Sequence, residues 1–123
     1  MFNGWISLRV QDPKGVSDWY KEHLGMEVLG RREDLGTQML GSVDKGAALI
    51  FLPGEKSPDP ERVQLHFHVD DVDAEYDRLK GEGVTFKAPP KDMPWRWRHA
   101  YTQDPAGHTV ELCSPLPDAH FVE

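Results

Sequence analysis

The sequence is poor in cysteine, in positive charge and in long apolar stretches. Its single cysteine, Cys113, excludes an internal disulfide framework and fits a reducing compartment. Against 14 Lys and Arg stand 21 Asp and Glu, a formal net charge of -7. That balance argues against nucleic acid or an anionic membrane surface as partner and favours a cationic or neutral one. No apolar run approaches the roughly 18 residues that a membrane span needs, and the N-terminus lacks the basic, apolar and small-residue order of a signal peptide. The expectation is therefore a cytoplasmic protein. With 123 residues, 38% of them hydrophobic, the chain has material for a single domain (1–123) around one modest core.

What is present concentrates in residues 63–69. Alternation there puts Leu65, Phe67 and Val69 on one face of a strand and Gln64, His66 and His68 on the other. Two imidazoles and an amide in register suggest the wall of a cavity rather than a solvated face.

The rest of the chain frames this strand. Residues 5–10 alternate as a first strand, with Ile6, Leu8 and Val10 on one face and Trp5, Ser7 and Arg9 on the other. Asp12 is an N-cap candidate and Pro13 a first-turn residue. Val16, Trp19, Tyr20 and Leu24 then recur at helical spacing up to the stop at Gly25. Residues 26–31, 36–43 and 47–52 read as strands, joined by a charged turn at Glu33 and Asp34 and by the hairpin signal Asp44, Lys45, Gly46. Residues 53–61, with three prolines, read as a linker. The order then restarts. The strand at 63–69 is followed by the cap candidates Asp70 and Asp71, a helix carrying Val72, Tyr76 and Leu79, and a stop near Gly81 and Gly83. Residues 84–87 read as a short strand and 88–94 as a proline-rich loop. Residues 97–103 and 109–113 are strands around the turn Asp104, Pro105, Ala106, Gly107.

The chain is thus a βαβββ order used twice, in modules of about 3–54 and 63–115. Aligning Trp5 with Gln64 puts Leu8 over Phe67, Val10 over Val69 and Asp12 over Asp71. The expected fold is α+β, two βαβββ modules forming a curved mixed sheet around a cleft with both helices on the outer face. Alternation nominates Trp5, Ser7 and Arg9, then Gln64, His66 and His68, then Trp97, His99 and Tyr101, then Thr109, Glu111 and Cys113 as cleft residues. Trp95 continues the aromatic alternation of Trp97, His99 and Tyr101, an arrangement that suits planar or cationic small molecules. Arg96 and Arg98 read as solvated edge charges facing away from the cleft. No glycine-rich phosphate loop or dinucleotide fingerprint is present.

Two stretches, residues 67–73 (Phe, His, Val, Asp, Asp, Val, Asp) and residues 104–112 (Asp, Pro, Ala, Gly, His, Thr, Val, Glu, Leu), carry a resemblance. Through them the chain resembles the vicinal oxygen chelate superfamily, from its first strand to about Pro115. That superfamily includes glyoxalase I, extradiol dioxygenases, fosfomycin-resistance thiol transferases and the bleomycin-resistance binding proteins. In members that hold a metal, the resemblance implies ligands from the first and last strand of each module. Those positions fall on Trp5, near Ile50, on Gln64 and on Glu111. Trp5 offers no lone pair and residues 47–52 contain no ligand side chain, so the first half-site is missing. The resemblance also implies a homodimer.

Two readings follow. The leading one is a metal-independent small-molecule binding protein similar to the bleomycin-resistance members, with no cofactor and an aromatic or cationic ligand. Its ligand-binding residues are Trp5, Arg9, Gln64, His66, His68, Trp97, His99, Tyr101, Glu111 and Cys113. The alternative is a glyoxalase-like lyase or isomerase, or a dioxygenase-type enzyme. It would hold a divalent metal (Zn, Ni, Fe or Mn) at Gln64, His66 and Glu111, with Glu111 and His66 moving protons.

Overall fold

The computed structural model describes residues 4–42 and 47–119, so the expected hairpin at Asp44, Lys45 and Gly46 lies outside the described residues. The chain forms two compact units, one of Met1–Pro60 with Asp104–Gly107 and one of Glu61–Gln103 with His108–Glu123.

In the first unit, strand β1 (Gly4–Val10) is followed by helix α1 (Pro13–Leu24) and strands β2 (Glu27–Arg32), β3 (Thr37–Ser42) and β4 (Ala47–Pro53). The sheet order is β1-β4-β3-β2, with β1 parallel to β4 and the other neighbours antiparallel. Asp12 caps α1 by accepting the Gly15 N–H at 3.1 Å, and Gly25 ends it in the left-handed region at φ 66°. The buried stripe of α1 is Pro13, Val16, Ser17, Tyr20 and His23, with Trp19 and Leu24 only half-buried at its margin. The Tyr20 ring stacks on Phe51 at 5.4 Å, and Val10, Val16, Leu40 and Leu49 complete this core. The Tyr20 hydroxyl donates to Asp104 Oδ2 at 2.6 Å, while Asp104 Oδ1 accepts the Ala106 N–H. Both buried polar groups are thereby satisfied.

The second unit repeats the order. A 3-10 turn at Pro60–Arg62 leads into β5 (Gln64–His68), α2 (Val72–Gly81), β6 (Lys91–Asp92), β7 (Trp97–Gln103) and β8 (Thr109–Pro115). The sheet order β5-β8-β7-β6 matches that of the first unit, again with the outer pair parallel. The α+β, two-module expectation therefore holds. Asp71, the residue aligned with Asp12, caps α2 through the Ala74 N–H. Val72 and Leu79 of the helix bury with Ala100, Val110 and Leu112 of the sheet, and Tyr76 meets Phe86 edge-on at 4.8 Å.

Two expectations need correction here. Residues 84–87 form no strand; only Phe86 makes an isolated bridge, to Thr102. The edge strand lies instead at Lys91–Asp92, inside what reads as a loop, because Pro89 and Pro90 have no N–H to give a ladder and pairing resumes only beyond them. Arg98 is not a free edge charge. Its guanidinium donates to both Asp73 oxygens at 2.8 Å and to Asp92 at 2.9 Å, tying the first turn of α2 to β6 and β7.

Candidate functional site: a carboxylate and aromatic cavity in the second unit

The helix-free face of the second sheet is built by strand alternation. Val110, Leu112, Ala100 and Thr102 turn inward, and their neighbours Thr109, Glu111, Cys113, His99 and Tyr101 necessarily turn the other way. Register then assembles rows across three strands. His66 pairs with Glu111 and Glu111 with Tyr101; His68 pairs with Cys113 and Cys113 with His99. On this face lies a cavity of about 520 Å³ lined by Gln64, His66, His68, Trp95, Trp97, Tyr101, Glu111 and Cys113.

Glu111 is the charged group of this cavity and is only 2% exposed. Its Oε1 accepts a hydrogen bond from His99 Nδ1 at 3.0 Å, which fixes the proton of that buried ring on Nδ1, since a carboxylate can only accept. Its Oε2 lies 2.7 Å from His66 Nδ1 but off the line of a hydrogen bond, so this buried oxygen has no aligned donor. Burial, and secondarily the charge of Glu111, push the Cys113 thiol and the Tyr101 phenol above their ordinary ranges. Both remain protonated and neutral near pH 7. The Cys113 thiol donates weakly to the Phe67 carbonyl at 3.6 Å.

The aromatic wall has a different origin at each ring. Trp97 and Tyr101 come from β7, with His68 edge-on to Trp97 at 5.6 Å. Trp95 sits in the turn between β6 and β7, closed by Met93 N–H to the Trp97 carbonyl at 2.8 Å and Arg96 N–H to the Met93 carbonyl at 2.9 Å. That turn requires Arg96 at φ 66°, a conformation that costs a non-glycine residue about 1 kcal/mol. The Arg96 guanidinium grips Asp118 at 2.8 Å, and its carbonyl accepts the Leu116 N–H.

Of the ten expected ligand-binding residues, the cavity collects Gln64, His66, His68, Trp97, Tyr101, Glu111 and Cys113. His99 is not in the lining; it is 5% exposed and acts on the cavity through Glu111. Thr109 spends its hydroxyl on the Glu61 carbonyl. Trp5, 56% exposed, and Arg9, which donates to the Pro53 carbonyl at 3.2 Å, belong to the first unit and are not among the lining residues. Trp95 joins the lining although the ligand-binding set leaves it out; the signal for it is the dense aromatic spacing from Trp95 to Tyr101.

A metal fits these residues only in part. In the first unit the row equivalent to His66, Glu111 and Tyr101 is Ser7, Ile50 and Met39, with Trp5 opposite Ala48, so the first half-site that the resemblance implies has no ligands. Within the second unit, His66, Glu111 and Cys113 bring an imidazole nitrogen, a carboxylate oxygen and the sulfur within 4.8 Å of one another. Among the described residues, no helix is long and apolar enough to cross a membrane.

Known proteins resemble this chain in sequence or in fold. The uncharacterized protein YraH of Bacillus subtilis (strain 168) is 27% identical, over 90% of this chain and 96% of its own length. The crystal structure of TnmS3, an antibiotic binding protein from Streptomyces sp. CB03234, superposes with a TM-score of 0.77 at 27% identity, covering 94% of this chain and 96% of that one. A glyoxalase/bleomycin resistance protein/dioxygenase structure from Nocardioides matches the fold with a TM-score of 0.82 at 20% identity, over 100% of this chain and 89% of that one. The model of the Glyoxalase/Bleomycin resistance protein/Dioxygenase superfamily matches residues 4–112, from the first strand through the last, and by that match the chain belongs to this superfamily.

Proposed function

We propose that this protein binds a planar aromatic small molecule in the second-unit cavity, without a metal. The observation that carries the reading is the combination of aromatic rings from Trp95, Trp97 and Tyr101 with a buried carboxylate in a space of about 520 Å³, a volume suited to a drug-sized ligand. The likeness to an antibiotic binding protein at 27% identity supports it, as does the absence of ligand side chains at Trp5 and Ile50. The binding form is a homodimer, which light scattering on the purified protein checks.

Acridine, a neutral planar probe at pH 7.5, tests the reading. Its titration should quench tryptophan fluorescence at one site per chain, and Trp97→Ala should weaken it about tenfold, the scale of one aromatic contact. No saturable quenching in the wild-type protein would sink the proposal. So would stoichiometric metal whose removal by a chelator abolished binding.

A second reading rests on the proximity of His66, Glu111 and Cys113. A divalent ion held by His66 and Glu111, with Gln64 or Cys113, would polarise a substrate oxygen in a glyoxalase-like lyase, isomerase or dioxygenase-type reaction. Glu111 and His66 would hold or move the proton. Metal content measured in wild type, Glu111→Gln and His66→Ala decides it: unchanged content in all three removes the site.

A further inference from the structure

The geometry points to a division of labour between the two oxygens of Glu111. Oε1 is held by His99 as a positioning residue, and Oε2 is the acceptor for a cationic N–H donor carried by the aromatic ligand. This rests on the metal-free binding reading above and adds to it the polar handle of the ligand and the residue that aims the protein's side of that contact.

The two oxygens differ in what surrounds them. His99 and Glu111 are 5% and 2% exposed, paired at 3.0 Å, with the His99 ring confined by Tyr101 at 4.2 Å and Trp95 at 6.0 Å. Oε2 is buried as well, yet no donor is aligned on it. An acceptor left in this state carries an unrelieved desolvation cost, which a ligand donor would remove. His66, the group nearest Oε2 at 2.7 Å, has a side chain 56% exposed, so its ring can swing into solvent and cede the position. The Cys113 thiol does not compete, because it is committed to the Phe67 carbonyl.

The donor is assigned as cationic for two reasons. A charge-assisted N–H to carboxylate bond is roughly twice as strong as a neutral one. The Trp95, Trp97 and Tyr101 faces that line the same space also attract a delocalised cation.

The test compares 9-aminoacridine, a fused-ring cation with N–H donors, with acridine, its neutral counterpart at pH 7.5. Both are titrated by fluorescence in the presence and absence of EDTA. The wild-type protein should prefer 9-aminoacridine by about tenfold or more, the scale of one charge-assisted hydrogen bond, with no effect of EDTA. In Glu111→Gln the two probes should bind within about threefold of each other. His99→Leu should narrow the preference, and His99→Gln, whose amide can still donate to Oε1, should restore it. A purely structural role for His99 predicts no such rescue of a ratio. Equal affinity of both probes for wild type overturns the assignment while leaving the binding-protein reading in place. Absence of binding by either probe overturns both. A preference that EDTA abolishes and Zn²⁺ restores assigns Oε2 to a metal and overturns the direct contact.

Discussion

At the scale of the residue, the chemistry turns on a few atoms whose roles alternation alone does not separate. Glu111, His99 and Cys113 lie on the same face of adjacent strands, but only Glu111 and Cys113 line the cavity. Cys113 illustrates how a neighbour decides reactivity. Burial first, and then the Glu111 charge, raise the thiol, so little thiolate is present near pH 7. We expect 5,5'-dithiobis(2-nitrobenzoate) to modify Cys113 at least about tenfold more slowly than a free thiol. Glu111→Gln should accelerate it severalfold by removing the charge. A rate equal to that of glutathione in the folded wild-type protein would show that burial does not protect the sulfur.

At the scale of the element, the helix starts were legible because a cap is a local device. Asp12 and Asp71 both precede their helices and both accept the N–H three residues on. The face assignment of β5, β7 and β8 was legible too, since a period of two leaves no third choice. What could not be read locally was β6. Its placement depends on which residues beyond Pro89 and Pro90 fall opposite His99 and Arg98 of β7, a register set by the turn at Met93–Arg96. The inclusion of Trp95 in the cavity depends on the same turn. His99 was legible as a site residue but not as one that works through Glu111, because the diagonal reach between strands has no sequence signature.

The α1 cap also makes a specific prediction. A glycine within a helix costs about 1 kcal/mol relative to alanine, so Gly15→Ala would ordinarily stabilise. Here a Cβ on Gly15 would collide with the capping carboxylate of Asp12. We expect Gly15→Ala to change stability little in urea denaturation, because the displaced cap offsets the helix gain, Asp12→Ala alone to cost about 1 kcal/mol, and the double variant to be more stable than the sum of the two single changes. Strict additivity of the two changes would show that the carboxylate is free to move aside.

At the scale of the whole molecule, the two units share one topology and differ in what their helix-free faces carry. Ser7, Ile50 and Met39 stand where the second unit has His66, Glu111 and Tyr101. The turn between β7 and β8, Asp104–Gly107, belongs to the first unit. There Tyr20 donates to Asp104 Oδ2 at 2.6 Å, fully buried on the helix side. Burial first, then the Asp104 charge, hold the Tyr20 phenol well above its ordinary range. The sign follows from which state releases the proton. Below the unfolded value of about 10, both states keep it and the hydrogen bond contributes in full. As pH rises above that value, the unfolded chain loses the proton while the folded chain retains it, so stability falls by up to about 1.4 kcal/mol per pH unit from this group. Tyr20→Phe should be about 1–2 kcal/mol less stable at pH 7, because the buried hydrogen bond from the Tyr20 hydroxyl to Asp104 is lost. Above pH 10 its stability should fall less steeply than that of wild type, by one proton, so the two curves converge. Parallel curves in urea denaturation from pH 7 to about pH 11 would place the alkaline sensitivity in Tyr101 or Cys113 instead, two further neutral acids held above their ordinary range.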